Sequence, residues 1–451
     1  MAARYDVIIV GAGPAGIFTA LELVRQQNDL KVLILEKGHG IEKRQCPAKE
    51  KSSSCLRCNP CSRVSGWGGA GAFSDGKLTL SPEVGGWLSE YVPEREVVSL
   101  IKYIDAIYRH FGAPEKVYGG PEDERIADIQ RQAILADLKL IPAPIRHLGT
   151  GRTQAILQAM KDYLEERGVE VRTDTPVEEI LVADGRVTGL LTRKGEKINA
   201  TQLVLAPGRE GSDWLRRVAG KLKLKLAVNP VDIGVRVEIP AAVMEHLTSV
   251  IYEPKFIFYS RKFDDRVRTF CMNPYGEVVL ENNEGLITVN GHSYADKKTN
   301  NTNFALLVSK TFTEPFKEPI AYGRSVAQLA NLLGGGVLLQ RLGDLLSGRR
   351  TTADRLQKGL VKPTLTDATP GDLSLVFPYR HLTAIVEMLA AMDKIAPGIY
   401  SRHTLLYGVE VKFYSSRLNL NSNLETNIKG LYGAGDGAGV TRGLAQASAS
   451  G

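Results

Sequence analysis

Three glycines near the N-terminus have the spacing found in turns that bind a pyrophosphate. An apolar run from Tyr5 to Val10 precedes them, and helical apolar spacing follows from Ile17 to Arg25. In such a turn the first glycine permits the tight bend, the second lets the backbone approach phosphate, and the third lets the helix pack on the strand. A second apolar run then ends in an acid placed to accept hydrogen bonds from a ribose diol. The predicted cofactor-binding residues are Gly11, Ala12, Gly13, Pro14, Ala15, Gly16, Glu36 and Lys37.

Four cysteines lie close together after this turn. Cys46, Cys55, Cys58 and Cys61 all fall within residues 46–61, and the core of the segment reads C-x2-C-x2-C. Short spacers allow several thiolates to converge on one centre, and this core resembles a bacterial ferredoxin ligand run. The four cysteines are therefore predicted metal ligands, for an iron–sulfur cluster of the 4Fe–4S type or for zinc. A dithiol pair that exchanges electrons with a cofactor is a third interpretation.

A glycine-rich stretch follows the cysteines directly. Residues 65–77 contain five glycines, although ordering glycine costs more backbone entropy than ordering any other residue. Close approach of the backbone to a flat ligand would explain this density, and a flexible surface loop is the alternative. The predicted cofactor contacts in this stretch are Gly68, Gly69, Ala70 and Ser74.

Two later segments resemble parts of the FAD site in flavoproteins of the glutathione-reductase type. Residues 433–439 read Gly-Ala-Gly-Asp-Gly-Ala-Gly and resemble the segment whose aspartate binds the ribityl and phosphate region. Residues 203–209 resemble the Ala-Thr-Gly strand motif, with proline in place of threonine, and a valine before them resembles an adenine contact. The resemblance implies FAD contacts at Val177, Ala206, Gly208, Gly435 and Asp436. It also implies a helix from Val440 to Ser450 whose N-terminus points at the flavin.

The sequence contains no second glycine turn with a preceding strand and a following acid. The glycine run Gly334–Gly336 lies in a leucine-rich helical context instead. NAD(P)H as an electron donor would therefore have to dock without a Rossmann domain of its own.

The order of the motifs predicts an α/β fold. We expect a glutathione-reductase-type FAD-binding Rossmann domain with an inserted α+β substrate domain. The first part of the FAD domain spans residues 1–225 and includes the cysteine-rich loop 46–61. The substrate or cap domain spans 226–395, and 396–451 complete the FAD domain. Within the first part, Asp184-Gly185 between two strand-like runs predicts a β-hairpin.

Composition and charge indicate a globular protein without a membrane span and disfavour a nucleic-acid partner. The 451 residues are 43% hydrophobic and 24% charged, which is ordinary for a globular protein. No apolar run approaches the roughly eighteen residues of a membrane span, and no basic leader precedes the first strand, so we expect a cytoplasmic protein. The net charge of +7 is scattered apart from Lys221–Lys225, which disfavours a nucleic-acid partner.

Nearly the whole chain resembles the uncharacterised FAD-dependent dehydrogenases of bacteria, archaea and plastids. The resemblance is carried by the cysteine segment, the Gly-Trp-Gly-Gly-Ala-Gly-Ala-Phe-Ser-Asp-Gly-Lys stretch at 66–77 and the closing segment 433–439. Residues 147–150, 288–295 and 303–305 also match that family. The resemblance implies the Rossmann fold and FAD. It implies no substrate, because the reaction of the family is itself unsettled.

The middle of the chain supplies the candidate catalytic residues Arg236, Cys271 and His292. Redox transfer at a flavin often needs a cation beside an oxyanion and an acid that delivers a proton. Arg236 could provide the first and His292 the second. A histidine in Asn-Gly-His is also typical of a turn, and a cysteine on an apolar strand is typical of a core.

The leading functional hypothesis is an FAD-dependent oxidoreductase that acts on a small organic substrate. Electrons would pass through a cluster at the cysteine segment or come from a redox partner protein. The alternatives are an isoprenoid double-bond reductase, a tRNA-modifying flavoprotein and a non-catalytic flavin-binding protein. Residues 376–379 match the signature of the isoprenoid reductases poorly, and scattered basic residues argue against RNA.

Overall fold

The chain folds into two compact units in a computed structural model. The structure describes residues 4–27, 29–47, 58–73, 76–120, 123–149, 152–227, 230–283, 285–293, 298–310, 312, 318–412 and 417–451. The first unit comprises Met1–Val117, Pro144–Ala227 and Ser415–Gly451, and the second comprises Tyr118–Ala143 and Val228–Tyr414. The second unit thus includes residues 118–143 and 396–414, which the sequence assigned to the FAD domain.

Helices and strands alternate along much of the chain. The helices are α1 (Pro14–Gln26), α2 (Glu94–His110), α3 (Glu124–Leu135), α4 (Arg152–Glu166), α5 (Ser212–Lys221), α6 (Ala241–Thr248), α7 (Pro319–Gly334), α8 (Leu342–Leu346), α9 (Ala353–Gln357), α10 (Tyr379–Met392) and α11 (Leu444–Ser450). Among the helices described, none is long and apolar enough to cross a membrane.

The strands are β1 (Arg4–Val10), β2 (Val32–Leu35), β3 (Lys77–Thr79), β4 (Val117–Tyr118), β5 (Lys139–Ile141), β6 (Ile145–His147), β7 (Glu170–Arg172), β8 (Val177–Ala183), β9 (Arg186–Thr192), β10 (Lys197–Leu205), β11 (Leu226–Ala227), β12 (Val231–Pro240), β13 (Lys255–Tyr259), β14 (Arg266–Asn273), β15 (Glu277–Asn283), β16 (Leu286–His292), β17 (Asn301–Lys310), β18 (Leu338–Arg341), β19 (Thr369–Pro370), β20 (Leu405–Lys412), β21 (Arg417–Leu418) and β22 (Leu431–Gly433).

The first unit is built on a parallel sheet with the strand order of a dinucleotide-binding fold. Strands β7, β2, β1, β10 and β22 lie side by side and run parallel, so that their chain order reads 3-2-1-4-5 across the sheet. Ile8, Ile9, Leu33 and Ile34 on β1 and β2 are fully buried. Strand segments covered on both faces are apolar at successive positions, which is why Val7 to Val10 of β1 and the whole of β2 are continuous apolar runs.

Strands β8 and β9 and the first residues of β10 form a three-stranded antiparallel ribbon at the edge of the parallel sheet. Strand β8 pairs with β9, and β9 pairs with the first residues of β10. The turn between β8 and β9 is formed by Asp184 and Gly185, with φ angles of 50° and 71°. Two positive φ angles are what a two-residue type I′ turn requires, so the predicted hairpin is confirmed.

The second unit is built on a mostly antiparallel sheet of eight strands, in the order β19-β18-β20-β12-β17-β14-β13-β5. The central strand β12 pairs with β17 on one side and with β20 on the other. Its odd-numbered residues, Val231 to Ile239, are apolar and join the main core of the unit. Its even-numbered face carries Asp232, Arg236 and Glu238, which are also buried. The period-two pattern therefore places charged groups on one buried face of the sheet.

A buried histidine on α10 makes the stability of the second unit depend on pH. His381 is 3% exposed, and neither ring nitrogen has a hydrogen-bond partner among the described residues. Burial lowers the pKa of His381 to about 4, and the cations of Lys310 and Arg380 act in the same direction against Asp265. The unfolded chain therefore binds a proton at a higher pH than the folded chain does.

We expect the folded state to lose stability as the pH falls from 6.5 to 4, by up to about 3 kcal/mol from this residue. Above pH 6.5 the imidazole is neutral in both states, and the full stability is present. Urea unfolding of wild type and His381→Phe at a series of pH values measures the difference between their free energies of unfolding. A difference that stays constant from pH 7 to pH 4 would contradict the prediction.

Candidate functional site

In the glycine turn after β1, two of the three glycines are in close contact with other backbone atoms, and the third faces open space. Gly11 has a φ of 109°, and a Cβ there would lie 2.1 Å from the carbonyl oxygen of Ala206. A Cβ at Gly16 would lie 2.0 Å from the carbonyl oxygen of Gly11. By contrast, nothing described lies within 4 Å of a Cβ built at Gly13. The first and third glycines are thus needed for packing, whereas the second faces space that a ligand can fill.

Glu36, the acid after β2, is a buried acceptor of backbone hydrogen bonds. Its Oε2 accepts from the amide of Ala12 at 2.9 Å, and its Oε1 accepts from the amides of Gly38 and Gly66, each at 2.9 Å. The residue is 6% exposed. A carboxylate offers about four lone-pair sites, so these three bonds leave it capacity for a ligand hydroxyl. Glu36 also ties the glycine turn to the glycine-rich stretch.

The glycine-rich stretch packs directly on the turn. The amide of Gly68 donates to the carbonyl of Ala12 at 2.8 Å, and a Cβ at Gly69 would lie 3.2 Å from the Cα of Gly13. Trp67 is fully buried, and its indole Nε1 donates to the carbonyl of Leu157 at 2.8 Å. This stretch is therefore anchored rather than a loose loop, and Ala70, at the start of its short 3-10 helix, is exposed. Ser74 lies outside the described residues.

The C-terminal glycine segment reaches the same turn from the other side. A Cβ at Gly435 would lie 2.9 Å from the Cβ of Ala15, and a Cβ at Gly437 would lie 2.4 Å from the carbonyl oxygen of Gly208. The amide of Ala434 donates to the carbonyl of Leu205, and that of Ala206 donates to Val10. Residues 11–16, 66–69, 206–208 and 435–437 therefore meet in the first unit.

Asp436 has partners that the sequence did not reveal. Its Oδ1 accepts from the hydroxyl of Thr441 at 2.8 Å, and its Oδ2 pairs with Nε of Arg209 at 3.0 Å. The guanidinium of Arg209 is largely exposed, so this pair can open toward a ligand at little cost. The helix expected from Val440 begins only at Leu444, after an irregular segment.

Residues beside Glu36 form a second group. The amide of Thr175 donates to the carbonyl of Glu36, and the amide of Asp174 donates to Gly38. His39 Nδ1 lies 2.5 Å from Asp174 Oδ1, a pair that sequence reasoning missed. Lys37 Nζ donates to the carbonyl of Glu210 at 3.3 Å. Val177 begins β8 and is buried, two residues beyond Thr175.

The cysteine segment is described only in part. Cys46 and Cys61 are half-buried, Cys58 is exposed, and all three are free thiols, whereas Cys55 lies outside the described residues. Among the described side chains, no three of His, Cys, Asp and Glu are grouped closely enough to hold a metal ion. The four-cysteine metal site remains a prediction.

Arg236 lies in a buried ionic cluster of the second unit. Its Nε lies 2.9 Å from Oε2 of Glu410, and both side chains have no exposed surface. Nε and Oε2 lack the alignment of a hydrogen bond, but one terminal nitrogen of Arg236 donates to the other carboxylate oxygen, Oε1, at 3.2 Å. The terminal nitrogens donate to the carbonyl of Cys271 at 2.7 Å and to Asn290 Oδ1 at 3.0 Å. Lys412 Nζ lies 3.1 Å from the other oxygen of Glu410.

The structure brings two of the three candidate catalytic residues together. Arg236 contacts the backbone of Cys271, which has a φ of 44° at an irregularity in the pairing of β14 with β17. A non-glycine residue with positive φ is uncommon and strained, which marks this bulge as unusual. His292 ends β16 opposite Glu277 and is exposed. The catalytic roles of all three residues remain predictions.

Glu410→Gln should destabilise the second unit by about 3–5 kcal/mol, because it leaves the Arg236 cation buried without its counter-ion. The midpoint of guanidinium chloride unfolding measures the change. Glu179→Gln is the matched control, since Glu179 pairs with Lys221 on the surface and its loss should cost less than about 1 kcal/mol. Equal losses of unfolding free energy in the two variants would show that the buried pair stabilises the protein no more than the surface pair does.

Comparison with known families gives two matches. Residues 230–413 match a family model described as "FAD-dependent protein, C-terminal domain-like". Residues 6–47 match the model of the lycopene cyclase proteins. The second match covers the glycine turn and its flanking segments only, so it reflects the dinucleotide-binding motif. An uncharacterised protein of Clostridium beijerinckii is 29% identical over 466 aligned residues, which cover 98% of this chain and 79% of that protein.

Solved structures with similar folds are distant. The 3-ketosteroid dehydrogenase of Rhodococcus jostii is 15% identical, with a TM-score of 0.45 over 99% of this chain and 94% of that one. The L-proline dehydrogenase of P. horikoshii is 14% identical, with a TM-score of 0.40 over 100% of this chain and 91% of that one. At this similarity, neither structure carries an argument about the reaction or the substrate.

The first unit has the strand order and the glycine turn of a dinucleotide-binding domain, and residues 230–413 are similar to an FAD-dependent family. The fold is mixed α/β, with a Rossmann-like domain in the first unit. The Clostridium beijerinckii relative, which matches nearly the whole chain, is itself uncharacterised and names no substrate.

Proposed function

We propose that the first unit binds FAD in the manner of the glutathione-reductase-type flavoproteins, and that the protein oxidises or reduces a small organic substrate. The observation that carries this proposal is that residues 66–69, 206–208 and 435–437 meet at the glycine turn 11–16, in which Gly13 is left open. A cradle that is packed at Gly11 and Gly16 but open at Gly13 fits a pyrophosphate better than it fits a side chain. Bound FAD supplies two-electron redox chemistry.

Each segment of the cradle has a proposed task. The N-terminus of α1 offers backbone N–H groups to the pyrophosphate, since Gly13 caps this helix without a side chain of its own. Glu36 accepts from the adenosine ribose with its remaining lone pairs. Gly68, Gly69 and Ala70 line the face of the turn that Gly13 leaves open. These tasks account for the buried carboxylate and for the glycine density.

The later segments complete the proposed site. Asp436 accepts from the ribityl chain once Arg209 moves aside, and Gly435 lets the backbone pass close to α1. Ala206 and Gly208 bring the end of β10 to the turn, and Val177 contributes a backbone contact near Glu36. Arg236, Cys271 and His292 are proposed for the substrate side. The cluster that Arg236 forms with Glu410 would hold the guanidinium in one orientation.

Purification of the full chain tests the proposal. We expect the visible absorption bands of oxidised flavin and release of FAD rather than FMN on denaturation. Without oxygen, we expect either bleaching by a donor from a panel of alcohols, amines and amino acids, or reoxidation of chemically reduced flavin by an acceptor from a panel of enoyl compounds. NADH and NADPH are tested in the same way as electron donors. The sequence contains no second glycine turn, so only this measurement shows whether either nucleotide reduces the flavin. A folded protein that neither retains nor takes up FAD would overturn the proposal.

A redox or metal centre at Cys46, Cys55, Cys58 and Cys61 is the finer part of the proposal. It is supported by the C-x2-C-x2-C spacing and by the position of the segment directly before the glycine-rich stretch. Analysis of iron, acid-labile sulfide and zinc per flavin in an anaerobic preparation decides among the options. Iron and sulfide together would support an electron relay, zinc alone would make the site structural, and absence of all three would leave either redox-active or inert thiols.

A further inference from the structure

Arg44 is a buried cation that the cofactor motifs do not include. It is 3% exposed, although arginine is almost never buried without partners. Its partners are backbone carbonyls: Nε donates to Ser62 at 2.9 Å, one terminal nitrogen donates to Trp67 at 2.7 Å and Gly69 at 2.8 Å, and the other donates to Arg63 at 3.0 Å. One side chain thus fixes four carbonyls across residues 62–69.

These four carbonyls belong to the segment that forms one wall of the cradle. Trp67 and Gly69 are part of the glycine-rich stretch, and a Cβ at Gly69 would nearly touch the Cα of Gly13. Ser62 and Arg63 follow Cys61 directly. The side chain of Arg44 also fills the space beside Gly66, where a Cβ would lie 2.7 Å from its Cδ. Arg44 therefore holds the segment from one side while Glu36 accepts from the amide of Gly66 on the other.

The chemistry of the guanidinium suits this position. Five donors in a fixed plane can serve several carbonyls at once, which the ammonium of lysine cannot do with the same geometry. The Cζ atom of Arg44 also lies 4.7 Å from the centre of the Phe73 ring, at the end of the same stretch. Burial lowers the pKa of Arg44 to about 10, while the carboxylate of Glu36 opposes this shift, so the group is charged at neutral pH.

We propose that Arg44 is a positioning residue for the cofactor: it fixes the carbonyls of Trp67 and Gly69 and so sets the wall of the cradle that faces Gly13. The inference rests on the proposed binding of FAD in the first unit. The backbone of residues 66–69 can adopt many conformations because it contains three glycines. Selecting one of them before the ligand arrives lowers the entropy lost on binding.

The test compares Arg44→Met, Arg44→Lys and Arg63→Met in the full chain. Arg63 is the matched control. Its side chain is exposed and also lies over the Phe73 ring, but only its backbone carbonyl accepts a hydrogen bond from Arg44. Titration of the deflavinated proteins with FAD gives the dissociation constants, and visible circular dichroism reports the geometry of the bound flavin. Thermal unfolding of the apoproteins reports folding separately.

We expect Arg44→Met to weaken FAD binding at least ~10-fold and to change the flavin dichroism, with Arg44→Lys intermediate and Arg63→Met within about twofold of wild type. A folded Arg44→Met protein with wild-type affinity and dichroism overturns the inference, even if its melting temperature is lower. If Arg44→Met does not fold, Arg44→Lys decides by the same two readouts. Failure of the wild type itself to bind FAD would instead overturn the proposed function.

Discussion

Gly13→Ala is expected to raise the dissociation constant for FAD at least ~100-fold, which is about 3 kcal/mol, while the chain stays folded. The proposed pyrophosphate lies against this residue, and a methyl group would occupy its place at the N-terminus of α1. The substitution should not disturb the protein itself. Gly13 has a φ of −81°, which alanine adopts readily, and a Cβ there meets nothing within 4 Å in the part of the chain that is described.

Two other glycines make this result interpretable. Gly220→Ala, in α5, also places a Cβ in open space and should leave both folding and FAD affinity unchanged. Gly11→Ala should prevent folding, because its Cβ would lie 2.1 Å from Ala206 at a φ of 109°. Titration with FAD and thermal unfolding of the apoprotein separate the two kinds of loss. A Gly13→Ala protein that binds FAD as tightly as wild type would place the cofactor elsewhere.

Glu36→Ala is expected to reduce both stability and FAD binding. It removes the acceptor of three buried amides, those of Ala12, Gly38 and Gly66, and a buried amide without a partner costs about 1–3 kcal/mol. Water that enters the vacated space would recover part of this, so we expect a loss of at least about 3 kcal/mol in the free energy of unfolding. Urea unfolding of the apoprotein measures it.

Glu36→Gln separates the two roles of the residue. The amide oxygen can still accept from Gly38 and Gly66, while the amino group faces the N–H of Ala12 and cannot accept from it. We therefore expect a smaller loss of stability than for alanine, but a loss of FAD affinity of at least ~10-fold, since the ribose meets one acceptor fewer. Glu166→Ala, at the exposed end of α4, is the surface control. A Glu36→Gln protein with unchanged affinity would show that the carboxylate only holds the backbone.

Local features of the fold were predictable because they depend on neighbouring residues. The strand, glycine turn and helix at the N-terminus, and the hairpin at Asp184-Gly185, occur where the pattern places them. Apolar periodicity and the freedom of glycine at positive φ act over a few residues, so a single sequence reveals them. The C-terminal helix begins four residues later than predicted, because Thr441 forms a β-bridge with Gly86 and the amide of Arg442 donates to the carbonyl of Gly85.

The boundaries of the units could not be derived in this way. Residues 118–143 are far in sequence from the rest of the second unit, yet β5 pairs with β13 at the edge of its sheet. Residues 396–414 contain β20, which pairs with the central strand β12. Strand pairing across more than a hundred residues leaves no local pattern, because any exposed strand edge offers the same donors and acceptors.

By itself, the sequence determined the dinucleotide turn, the acid after β2 and the three segments that return to them. Each of these has a fixed local form. Only the tertiary structure decided which charges are buried and with which partners. Arg44 binds carbonyls 18 to 25 residues away, and Arg236 pairs with Glu410, 174 residues away. A buried charge must find its counter-charge or its acceptors wherever the fold brings them, and an arginine in an isolated sequence is otherwise indistinguishable from one on the surface.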